Sequence, residues 1–153
     1  MIRTYASLRL VGEHVDPDVV SRITGLRADR ACRRGDVVKV ARPHPDAIHT
    51  RQHGLWLITS EGQIETADLE DHVEWLLQKI EPAKDEMVAY VQETGSWADV
   101  FCFCEVAGGG GGPVLSPRLL RRMGEAGLSV SLDIYGDFRD EEEDAEAELR
   151  SDS

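Results

Sequence analysis

The hydrophobic pattern changes period several times along the chain, and each change marks an element. From Arg3 to Val11 the residues alternate, with Thr4, Ala6, Leu8 and Leu10 on one side and Arg3, Tyr5, Ser7 and Arg9 on the other. Period two with one polar face predicts a half-buried strand. Asp16-Pro17 then supplies an N-cap and a first-turn proline. Val19, Val20 and Ile23 give a helical stripe, and Gly25 a stop. Val37–Val40 reads as a short strand and Leu55–Thr59 as a strand apolar on both faces, the two able to pair as a hairpin across a Pro/His-rich loop.

The helical period is clearest from Leu69 to Ile80, where Leu69, Val73, Leu76 and Ile80 share a face widened by Leu77, with Thr66 or Asp68 as the cap. Pro82 kinks or restarts this helix, and Met87, Val88 and Val91 carry the pattern to Thr94-Gly95. Asp99–Val106 reads as a strand apolar on both faces and therefore interior to the sheet. Five glycines, Gly108 to Gly112, form a connector. Ser116-Pro117 caps a helix carrying Leu119, Leu120 and Met123. The alternation of Leu128, Val130, Leu132 and Ile134 with Ser129, Ser131, Asp133 and Tyr135 predicts a last strand.

The first six elements follow a β-α-β-β-α-β order, with a helix–strand unit added at the end. The expected fold is α+β: a ferredoxin-like core and a mainly antiparallel sheet whose helices lie on one face, since several strands keep one polar side. Residues 1–136 make one domain on this reading.

Charge separates the remainder. Of 153 residues, 29 are acidic and 17 basic, a net charge of −12. Residues 137–153 hold nine acids and two arginines and so account for −7 of it. With Phe138 and Leu149 as the large apolar residues there, this segment is expected to be a disordered acidic tail. The opposite pole runs from Arg27 to His53, where Arg27, Arg30, Arg33, Arg34, Lys39, Arg42 and Arg51 face Asp29, Asp36 and Asp46. An acidic chain repels DNA and anionic membranes. Three cysteines without framework spacing, no apolar h-region at the start and no run of about 18 apolar residues point to reduced thiols in a cytoplasm.

Candidate chemistry is sparse. Cys102 and Cys104 share one strand face and suit core packing better than a zinc site, which draws about four ligands. His44, His49 and His53 occupy one polar loop; His49 and His53 have i, i+4 spacing, but Pro45 and Gly54 argue against the helix that a metal pair at that spacing would need. No Gly-x-Ser-x-Gly nucleophile appears, and the glycine run lacks the Gly-Lys-Ser/Thr ending of a phosphate loop. Arg34-Gly35-Asp36 reads as a turn. A sheet face bearing Tyr5, Arg9, Phe101, Phe103, Ser131 and Asp133 has the residue types that stack RNA bases, but the charge and the missing motif argue against RNA; Phe101 and Phe103 are expected beneath other chain segments. Neither a catalytic residue nor a cofactor is expected.

The opening strand, Asp16-Pro17, Gly25-Leu26 and Arg34-Gly35-Asp36 are followed by Trp56 in the second apolar strand. Then come Asp68-Leu69-Glu70-Asp71-His72 with Leu76-Leu77, Leu119-Leu120, Gly127-Leu128 and Asp133-Ile134-Tyr135. In this order they resemble the bacterial domain of unknown function 4279 family over about residues 3 to 136. The resemblance implies a small bacterial protein and brings no activity or site residue with it.

Two functional expectations follow from the residues themselves. The first is a non-catalytic module steered by its acidity onto a basic protein, as an inhibitor or immunity protein would be. The second is a sensor of small anions, or a cryptic enzyme, using Arg30, Arg33, Arg34, Arg42 and His53. Self-association through the sheet is a third possibility.

Overall fold

The computed structural model describes residues 3–40, 47–108 and 111–136, and of Lys39, Val40, Ala47 and Ile48 only the backbone. Arg42, His44 and the acidic segment 137–153 lie outside the described residues.

Strand β1 spans Arg3–Gly12, helix α1 Pro17–Thr24, and strands β2 to β5 Arg30–Cys32, Val37–Val40, Ala47–Thr50 and Gly54–Thr59. Helix α2, Leu69–Ile80, and α3, Lys84–Thr94, are separated by a single 3₁₀ turn at Glu81–Ala83. That turn follows from Pro82, which has no N–H to continue the ladder. Strand β6 is Trp97–Val106, α4 Pro117–Glu125 and β7 Ser129–Gly136.

The caps read from sequence are made. Asp16 accepts from the Asp18 N–H, Asp68 from Glu70 and Ser116 from Leu119, while Gly25 and Gly95 close their helices at φ 68° and 62°. Thr66 serves beside Asp68 rather than instead of it: its hydroxyl accepts from the Asp68 N–H and donates to Asp71.

Five strands form one sheet in the order β2-β5-β1-β6-β7. β1 is antiparallel to both β5 and β6, β2 is antiparallel to β5, and β7 runs parallel to β6. The α1 connection therefore joins two parallel strands with β5 between them. The α2–α3 connection joins β5 to β6 with β1 between them. The α+β class and the mainly antiparallel sheet are as the pattern predicts.

The strand assignment between residues 30 and 59 is corrected. Val37–Val40 does not pair with Leu55–Thr59; it pairs with Ala47–Thr50 in a separate two-stranded hairpin. The place beside β5 is taken by Arg30–Cys32. Three residues are too few to show a period, so this edge strand leaves no signature of its own.

One face of the sheet is covered. Ala6, Leu8, Leu10, Val100, Cys102 and Cys104 are fully buried there against Leu69, Val73 and Leu76 of α2 and Leu119 of α4. Trp56 is also fully buried, its indole N–H donating to Ser21 of α1 at 3.0 Å. Glu74 ties α2 to α4 by accepting from Arg122 at 2.7 and 2.8 Å. Among the described residues no helix is long and apolar enough to cross a membrane.

Candidate functional site

The alternation that buries Ala6, Leu8 and Leu10 sends Arg3, Tyr5, Ser7 and Arg9 to the opposite face. The register then assembles rows across it: Tyr5 beside Phe103, Ser7 beside Phe101, Arg9 beside Asp99 and Val11 beside Trp97. The parallel partner adds Ser131 next to Phe101 and Asp133 next to Phe103.

Two stacks result. Tyr5 lies on Phe103 with centroids 4.9 Å apart and planes 14° apart, and Phe103 meets Tyr135 at 5.4 Å. The Arg3 guanidinium sits over both Tyr5 and Phe103, at 5.5 and 5.4 Å, and is itself paired with Glu61. One step along, Arg9 lies 4.7 Å over Phe101 and 5.4 Å over Trp97. Its Nε and Nη2 donate to the two oxygens of Asp99 at 2.8 and 2.6 Å, and Ser131 Oγ donates to Asp99 at 2.6 Å. The Asp99 hydrogen bond holds the Arg9 pKa above its ordinary value, so the guanidinium is charged throughout. Burial, with the Glu61 carboxylate close by, pushes the Tyr5 phenol up, so it stays neutral.

Among the described residues no other segment covers Phe101 and Phe103, contrary to expectation. They are half-buried, beside Trp97 at 46% and Tyr135 at 55% exposure. Their partial burial comes from neighbouring rings and arginines on the same face. Sequence inspection lists most of these residues, but only the register makes them one surface.

Among the described residues, the arginines of residues 27–53 do not all gather at one place. Arg33 donates to Asp16 at 2.9 Å and also to Asp18, and Arg34 reaches Glu13 at 3.8 Å. Both are thus spent on carboxylates in and before the first turn of α1. His53 is exposed, its carbonyl 3.7 Å from the Cys32 thiol. Arg30 alone of the predicted set described here borders a cleft, of about 520 Å³, between β2 and the β3–β4 hairpin. Arg51 joins it there, and its Nε is buried without a hydrogen-bond partner among the described residues. Asp29 and Asp36 line the same cleft, but Asp29 accepts the Thr59 N–H and Asp36 the Arg33 N–H, each at 2.8 Å. Arg51 carried no special weight in the sequence, because nothing local distinguishes it from the other basic residues of the segment.

Cys102, Cys104 and His72 serve the core. Cys102 and Cys104 are fully buried. Burial raises both thiol pKa values, that of Cys102 to about 12. His72, also buried, has Nε2 2.8 Å from the Thr66 carbonyl, which fixes the proton there, and Nδ1 2.7 Å from Ser60 Oγ. Ser60 in turn meets the Ala6 backbone, so this Ser–His contact pins α2 to β1 inside the core, away from solvent. Among the described residues, no three His, Cys, Asp or Glu side chains are grouped to hold a metal.

These features define an α+β protein whose helices cover one face of its sheet and leave an aromatic–arginine surface on the other. The chain belongs to the DUF4279 family, a domain of unknown function, whose model matches residues 2–137. Neither the curated proteins nor the solved structures contain a match to it.

Proposed function

We propose that this protein is a non-catalytic binding module that docks a basic protein partner, as an inhibitor or immunity protein does, through the uncovered face of its sheet. The observation that carries the reading is the pair of stacks, Tyr135–Phe103–Tyr5 under Arg3 and Trp97–Arg9–Phe101. Tyr, Trp and Arg dominate binding energy at protein interfaces, and rings already held in place lose little entropy on docking. The net charge of −12 supplies long-range attraction to a cationic partner.

The test is affinity capture from native lysate at low and high salt, with full-length protein and a Trp97→Ser/Tyr135→Ser variant. Both positions are exposed, so the variant keeps its core. A basic protein held by the wild type and lost by the variant supports the reading; equal retention by both overturns it. Removing residues 137–153 is expected to slow association and flatten its salt dependence.

A second reading rests on the cleft between β2 and the hairpin, where Arg30 and the unpartnered Nε of Arg51 suit a small phosphate or carboxylate. Thermal stabilisation by inorganic phosphate, abolished in Arg51→Gln, would favour it. No shift with phosphate or with a panel of carboxylates would remove it.

A further inference from the structure

The two edges of the five-stranded sheet differ. One is β2, three residues long and bordered by the hairpin cleft. The other is β7, eight residues long, with no strand on its outer side among the described residues. A long edge presents a row of free N–H and C=O groups that template pairing with another strand. Proteins commonly blunt such edges with lysines, prolines or bulges. β7, Ser-Val-Ser-Leu-Asp-Ile-Tyr-Gly, has neither lysine nor proline, and Asp133 is its single charge.

Its side chains also lack cover. Leu132 and Ile134 stand beside Cys102 and Cys104, which are fully buried, yet are themselves 55% and 39% exposed. The helical layer therefore ends at β6 toward this end of the sheet. On the opposite face Tyr135 is 55% exposed.

We infer that β7 is a self-association edge, pairing antiparallel with β7 of a second copy about a two-fold axis at Leu132 to make one continuous sheet across a dimer. Alternation and strand length together select this register, since an axis at Ser131, also compatible with the alternation, pairs fewer residues of the strand. A two-fold between residues would set apolar positions against polar ones, because opposed residues share a face. An axis at Asp133 would set two carboxylates face to face, which is destabilising. An axis at Leu132 opposes Leu132 with Leu132, Val130 with Ile134, Ser131 with Asp133 and Ser129 with Tyr135. Each apolar side chain then meets an apolar one and the carboxylate meets a hydroxyl.

Charge sets the strength. Each copy carries −12, of which −7 lies beyond Gly136. Antiparallel pairing puts the two Gly136–Asp137 junctions at opposite ends of the joined strands, roughly 30 Å apart at the rise of an antiparallel strand. That exceeds the Debye length of about 8 Å at physiological salt, so the dimer strengthens as salt is raised and is weak without it.

The experiment is sedimentation velocity on the full chain across a concentration series at low and physiological salt, with Leu132→Lys and Ile134→Lys alongside. Hydrogen exchange of residues 129–136 is followed at the same concentrations. The wild type is expected to shift from monomer to dimer as concentration and salt rise, with β7 amides slowing in step. Each lysine appears twice across the two-fold, so dissociation constants should rise by about 100-fold. Because both positions are exposed, the variants should melt as the wild-type monomer does. A wild type that stays monomeric, variants that dimerise as well as it does, or protection that grows elsewhere than β7 would each overturn the proposal.

Discussion

Arg9→Met is the most informative single change. Asp99 is fully inaccessible to water and accepts from Arg9 Nε, Arg9 Nη2 and Ser131 Oγ, whereas the Arg9 side chain keeps 27% exposure. Methionine preserves the stem packed between Trp97 and Phe101 but removes the counter-charge. Stranding a buried charge costs about 3–5 kcal/mol, and solvent contact through the vacated arginine site brings that nearer 3. At about 2–4 °C per kcal/mol for a chain of this size, the melting temperature should fall by about 6–12 °C. Asp99→Asn should cost less, about 1–2 kcal/mol, because a partly exposed guanidinium can turn to water whereas a fully buried carboxylate cannot. In Arg9→Met/Asp99→Asn no charge is left behind, so the loss should fall below the sum of the single losses by at least about 1 kcal/mol. Urea unfolding at neutral pH measures all three. Equal costs for the two single changes, or a double mutant that is simply additive, would refute the idea that the carboxylate is the vulnerable partner.

Other consequences are equally direct. In native protein at pH 8 a thiol reagent should modify Cys32 and spare Cys102 and Cys104, because both are buried and Cys102 titrates at about 12; mass spectrometry should find one adduct, and three in denaturant. The Arg122 hydrogen bonds hold the Glu74 carboxylate below the ordinary range, so its contribution is present above that range and lost as pH falls through the depressed value. Glu74→Gln should therefore lose about 0.5–1 kcal/mol at neutral pH, with the difference from wild type vanishing in acid. Gly54→Ala should destabilise by about 1–3 kcal/mol in thermal melts, since a Cβ there would lie 2.1 Å from the Val15 carbonyl oxygen.

Local chemistry determined much of the fold directly from the sequence. The Asp16, Asp68 and Ser116 caps, the break at Pro82 and the period of Leu69–Ile80 act within a few residues, so they survive being read one segment at a time. The faces of β1 were equally legible, because alternation is itself the signature of a covered and an uncovered side; β6, apolar on both faces, revealed its interior place in the sheet but not that its phenylalanines stand on the helix-free side. Pairing was different. Arg30–Cys32 joins the sheet and Val37–Val40 does not, a choice made by which segment reaches the β5 edge rather than by propensity. Tertiary structure also decided the candidate surface. Arg33 and Arg34 looked available as charges in a run, but the start of α1 and the turn before it bring Asp16, Asp18 and Glu13 against them. Arg9 and Asp99, ninety residues apart, become an ion pair with a fully buried carboxylate only through the register of β1 on β6, and the same register turns scattered rings into a continuous face. Short-range energies are written in the order of residues; long-range ones exist only after the sheet has chosen its neighbours.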